Sequence, residues 1–178
     1  VCSAKAMRWT KHHARIELLK HLVAEIPEAE WYGHDVRAFD KKYEVMDAYK
    51  YHVAIENYIA PHYWSEKLSD AFLCGCLPFY AGAPDLADDF PKESFIPIPI
   101  DDPKEAVEII KASIASNEYE KRREAIAEAR HLVLEKYNFW NQVVELIEDA
   151  RKRGWDEGDI EPGAVVIARK ALRKSNPL

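Results

Sequence analysis

The chain has 178 residues, of which 48% are hydrophobic and 31% charged, an ordinary make-up for a soluble globular protein. That length suits one domain burying about 70% of the surface its unfolded form exposes. A formal net charge of −6 excludes general nucleic-acid binding, which needs a basic face, but leaves room for a local basic pocket. No apolar run approaches the roughly 18–20 residues of a membrane span, and no signal-peptide pattern is visible. Cys2, Cys74 and Cys76 fit a reduced compartment and lack zinc-ligand spacing; His12-His13 is a doublet without a partner motif. No metal site is expected.

In chain order, Val1-Cys2-Ser3 reads as the end of a first strand. The chain opens on it without a methionine, as expected for a fragment, a processed product or a trimmed chain. Thr10 is a plausible N-cap for a helix from Lys11 to about Ile26, which Pro27 follows. Leu18, Leu19, Leu22 and Ile26 make its buried stripe, and stepping back three and four residues lands on Arg15. A guanidinium on a core-facing stripe must snorkel to water, pair with a carboxylate, or look into a site. Glu30–Gly33 reads as a short second strand ending in a glycine turn, the segment 34–42 as irregular, and 43–48 as a short helix.

The most informative stretch is 49–84. An apolar run, His52–Ile55, ends in Glu56-Asn57, and a loop with Pro61 and His62 leads to a helix from about Trp64 to Leu73. Gly75 closes that helix, and a second apolar run, Leu77–Tyr80, stops at Gly82-Ala83-Pro84. Strand, loop, helix, strand is a βαβ unit, so the sheet should be parallel, with ligands at the carboxyl ends of its strands. Asn57, Tyr63, Glu66 and Lys67 all fall at that end. A lysine in the first turn opposes the helix dipole, so Glu66-Lys67 is either a solvated pair or faces a bound anion.

Beyond Pro84, Ser94–Ile98 reads as a final strand, placed at a sheet edge by Pro97 and Pro99. Asp101-Asp102-Pro103 opens a helix to about Ser116 that should bury Val107, Ile110 and Ile114. Further helices are expected over about 118–135 and 138–153, the latter with an apolar face of Phe139, Trp140, Val143, Val144 and Ile147. Residues 1–153 are thus expected to form one Rossmann-like domain: an α/β fold with a parallel sheet of about five strands flanked by helices. Residues 154–178 read as a linker and a basic helical tail.

The spaced residues of 56–84, EN-x5-Y-x2-EKL-x6-GC-x-P-x-Y-x-GAP, resemble the donor-binding segment of family 10 glycosyltransferases, the α1,3/1,4-fucosyltransferases. The resemblance extends roughly from Val1 to Trp140 and covers only the carboxyl-terminal, nucleotide-sugar half of that family's GT-B architecture. It implies GDP-fucose as donor substrate, inversion at the sugar, no cofactor and no required metal. Arg15 and Lys67 would then hold the diphosphate, Glu66 the ribose hydroxyls, and Asn57 and Tyr63 neighbouring parts of the donor. Glu56, Ser3 and Lys50 are further candidates, although Lys50 also reads as a solvated lysine at a strand start.

The resemblance puts the general base and the glycan acceptor's contacts in an amino-terminal domain, so no catalytic residue is assigned here; were transfer found in this chain, Glu56 would be the first candidate base. Two alternatives to a fucosyltransferase donor domain stand, a free-standing GDP-sugar-binding module or a transferase for another GDP-linked sugar, and a weaker third is an interaction domain. A bacterial or viral chain would be cytoplasmic; a Golgi-lumenal one would carry its anchor upstream.

Overall fold

The computed structural model of the protein describes residues 12–154. Expectations for Val1–Ser3, Thr10 and the tail after 154 lie outside the described residues. The described residues divide into two compact units, one reaching Tyr137 and one starting at Asn138.

In the first unit, three strands, β1 (Tyr51–Ile55), β2 (Leu77–Ala81) and β3 (Ile96–Pro97), pair in parallel in the order β1-β2-β3. Alternation along the strands divides the core between the two faces. Ile55, Leu77, Phe79, Ala81, Ile96 and Ile98 pack against Leu18, Leu19 and Leu22 of α1 (His12–Glu25) and Ala106, Val107 and Ile110 of α3 (Pro103–Ala115). Ala54 and Tyr80 face the other way, onto Leu68 and Phe72 of α2 (Glu66–Leu73) and Ala129 and Val133 of α5 (Arg123–Glu135). The result is a three-layer parallel α/β fold, the arrangement a βαβ crossover imposes.

Caps set the helix starts. Asp102 accepts from the Glu105 N–H at 3.0 Å with Pro103 in the first turn of α3, and Ser65 caps α2. Gly75, with φ +70°, ends α2 in a conformation that favours glycine.

Several expectations need correction. Among the described residues the sheet has three strands, the expected strand at Val1–Ser3 lying outside them, and Glu30–Gly33 is not a strand. That stretch leads into a turn closed by the Gly33 N–H on the Arg37 carbonyl (3.0 Å), with Asp35 at φ +64°. Its side chains hold it instead: the Glu30 carboxylate accepts from Tyr32 and from Arg37, the latter at 2.8 Å, and the Arg37 guanidinium lies 4.5 Å from the centre of the Tyr32 ring. The strand expected at 94–98 shrinks to Ile96–Pro97 because Lys92–Ser94 forms a 3-10 turn, and the helix expected at 43–48 is likewise a 3-10 turn, Lys42–Val45. Ile114 is exposed rather than buried. The helix expected over 118–135 is broken at Arg122 into α4 (Glu118–Lys121) and α5.

The second unit begins with α6 (Phe139–Lys152), capped by the Asn138 side chain on the Asn141 N–H at 3.0 Å. Phe139 and Trp140 meet edge to face at 5.1 Å and are largely exposed. No helix among the described residues is long and apolar enough to cross a membrane.

Candidate functional site

The helical stripe that buries Leu18 and Leu19 also carries Arg15 inward, where only 6% of its surface stays exposed. Its Nη1 donates to the Asn57 side-chain oxygen just past β1. Its Nε is buried and has no acceptor among the described residues. No described carboxylate lies within ion-pair distance of it. A buried donor left without an acceptor normally costs stability, so such a group asks for a missing partner.

Arg15 and Asn57 line a cleft of about 780 Å³ together with Glu66 and Lys67 from the first turn of α2. Its remaining wall is largely apolar and aromatic, including Trp31, Tyr32 and Tyr49. The guanidinium, the ammonium and the start of α2 thus open onto one space, where positive charge and helix dipole favour an anion together.

Lys67 is set by its surroundings. Its Nζ donates to Ser65 Oγ at 3.0 Å and to Glu66 Oε1 at 3.2 Å, and lies 3.4 Å from Glu56 Oε2. Burial works against the ammonium, but the Glu56 charge and the Glu66 hydrogen bond outweigh it and raise its pKa above the ordinary lysine value. The lysine therefore stays protonated at neutral pH, and the same contact holds Glu66 below its usual range against a burial effect of opposite sign.

Glu56 sits behind this corner and is fully buried. Its Oε1 accepts from the Ser65 N–H and hydroxyl, both at 2.9 Å, and its Oε2 accepts from the same hydroxyl at 2.7 Å. Glu56 is not among the residues that line the cleft; its oxygens are taken up by Ser65, and Oε2 faces the Lys67 ammonium.

Tyr63 lies in the β1–α2 loop, 41% exposed and edge to face with Tyr58 at 5.9 Å. Its carbonyl accepts a long contact, 3.5 Å, from the Tyr80 hydroxyl, which itself accepts from the Ala83 N–H at 3.0 Å. In the same loop His62, at φ +56°, pairs with Asp85 at 3.3 Å. Lys50 borders the cleft, and its ammonium pairs with Glu120 at 2.7 Å beside the Tyr119 ring. Ser3 lies outside the described residues.

Two residues without an expected role in the site stand behind it. A helix start at Trp64 is two residues too early and hides Ser65, although a serine just before an apolar period is an N-cap signal. Tyr80 stands in the motif quoted above, but nothing local assigns a role to its hydroxyl, whose partners are loop backbone atoms brought together only by the fold. Among the described residues, no group of three His, Cys, Asp or Glu side chains is arranged to hold a metal ion.

Against this geometry stand the likenesses to known proteins. The family model described as glycosyltransferase family 10 (fucosyltransferase), C-terminal, matches residues 2–128. The alpha-(1,3)-fucosyltransferase FucT of Helicobacter pylori is 34% identical over 64 residues, 36% of this chain and 13% of that protein. A crystal structure of an alpha1,3-fucosyltransferase with GDP is 28% identical with a TM-score of 0.52, and one with GDP-fucose is 27% identical with a TM-score of 0.50. Each match covers 61% of this chain and 34% of the other, so this chain spans about a third of the solved proteins it resembles.

Proposed function

We propose that this chain, which belongs to glycosyltransferase family 10, the fucosyltransferases, is the donor-binding domain of an enzyme that moves fucose from GDP-fucose to a glycan acceptor. The observation that carries this reading is Arg15: a buried guanidinium with an unfilled Nε, opening onto the same cleft as Lys67 and the start of α2. Departure of GDP leaves negative charge on its β-phosphate, and fixed cations with helix-start amides can stabilise that charge where it develops. Glu66, exposed at the cleft and purely an acceptor when ionised, suits ribose hydroxyls, and the aromatic wall of Trp31, Tyr32 and Tyr49 suits a planar base. Inversion at the sugar and independence of a metal follow from the family resemblance and are part of the proposal.

The test is isothermal titration of the chain with GDP, GDP-fucose, GDP-mannose and UDP. GDP and GDP-fucose should bind and UDP should not; equal affinity for GDP-mannose would favour another GDP-linked sugar. A companion assay incubates the chain with GDP-fucose and galactosyl or N-acetylglucosaminyl acceptors. Little product is expected, because the chain spans about a third of its solved relatives and the resemblance places the base elsewhere, and general-base help alone is typically worth about 10²–10⁴-fold. Robust product would show that a base lies within this chain, and absence of any nucleotide binding would overturn the donor-site reading.

A further inference from the structure

We infer that Glu56 is a positioning residue that touches no ligand and fixes the Lys67 ammonium in the cleft wall through Ser65; the inference rests on the donor-site reading above. A site suited to an anion here buries a carboxylate beside its lysine. A negative charge there opposes an anionic ligand, so its presence needs an offsetting use. Glu56 has no exposed surface and does not contribute to the cleft wall. Among the described residues its side chain accepts three hydrogen-bond contacts from Ser65, the residue that caps α2 and also takes a hydrogen bond from Lys67 Nζ.

The carboxylate is held from behind as well. The Glu56 N–H donates to the Ala81 carbonyl at 2.8 Å, carrying the β1–β2 ladder one step past the end of β1. Gly82 leaves room for it: a Cβ there would lie 2.8 Å from Glu56 Cγ and 2.0 Å from the Tyr80 hydroxyl. Lysine is a flexible four-carbon stem with a strongly hydrated head, and in a first helical turn the dipole drives it outward. Glu56 reverses that preference, with Oε2 3.4 Å from Nζ, and Ser65 Oγ at 3.0 Å fixes the direction. Two charges and a hydroxyl thus replace the reorganisation Lys67 would otherwise undergo when an anion arrives.

The experiment compares the chain with Glu56→Gln and, should that variant fold poorly, with Ser65→Ala, which keeps the carboxylate and removes the hydroxyl bridge. In the ligand-free proteins, carbon-13 NMR of reductively dimethylated lysines should show Lys67 losing its proton at lower pH in Glu56→Gln than in wild type; identical titrations would overturn the inference. This readout needs no nucleotide, so it stands even if the donor-site reading fails in the GDP titration. With GDP, Glu56→Gln should bind about tenfold more weakly and guanosine equally well, roughly the step of one misplaced charged contact. In a Lys67→Ala background the Glu56 change should add almost nothing. Unchanged or tighter GDP binding, or equal losses for GDP and guanosine, would instead mark Glu56 as part of the packing alone.

Discussion

Arg15 and Lys67 are held in different ways, and their removal should differ accordingly. Lys67 neutralises a buried carboxylate, so Lys67→Ala leaves Glu56 with Ser65 alone and should lower unfolding stability by about 1–3 kcal/mol. Arg15 has an unfilled buried Nε and a neutral amide as partner, so Arg15→Met, which keeps the stem and drops the fork, should unfold at close to the wild-type urea midpoint. Both substitutions should nevertheless weaken GDP by about 10–100-fold, the worth of a charge-assisted phosphate contact, while guanosine affinity stays level. Equal losses for nucleoside and nucleotide would make both residues structural. Arg15 was legible from sequence because two stripe positions point back to the same residue. Ser65 was not, because its importance lies in a carboxylate nine residues upstream that only the β1–α2 crossover brings beside it.

At the scale of elements, what could be read were the features with a local cause. The buried stripe of α1, the Asp102-Pro103 start of α3 and the Gly75 stop of α2 all rest on neighbours within a few residues. What could not be read depends on distant partners. Glu30–Gly33 has the composition of a strand, yet a single carboxylate gathers Tyr32 and Arg37 and bends the chain into a turn. The break between α4 and α5 falls at Arg122, whose Nε grips Glu118 at 2.8 Å while Nη1 reaches the Glu93 carbonyl at 3.2 Å, a contact from another part of the fold. The end of β2 offers a sharp test of such packing. In Gly82→Ala the new methyl meets the Tyr80 hydroxyl and Glu56 Cγ within 3 Å, so these side chains or the strand end must shift. Chemical denaturation should show a loss of about 1–3 kcal/mol, the usual cost of overpacking, together with weaker GDP binding as Lys67 loses its support. A variant as stable as wild type would mean that Tyr80 swings aside without cost.

Across the whole molecule the resolvable pH response should come from His52, in the second position of β1 within the parallel sheet. Burial holds its imidazole pKa well below the ordinary value of 6.5, with Lys42 acting in the same direction. The folded state therefore keeps His52 neutral in a range where the unfolded chain takes up a proton. Its contribution to stability is complete above about pH 6.5, the unfolded value, and is lost as pH falls from there towards the depressed folded value. One differential proton gives a slope of at most about 1.4 kcal/mol per pH unit. His52 also keeps part of its surface in the cleft wall. Carboxylates and exposed histidines titrate over the same range, so the comparison must be differential. Urea unfolding of wild type and His52→Gln at pH 7.5, 6.5, 5.5 and 5.0 removes that background, since the variant keeps every other group. Wild type should lose stability faster than the variant once the pH drops below about 6.5. Parallel curves would show that His52 accepts its proton without leaving the fold, and that its place in the cleft wall is wetter than its packing implies.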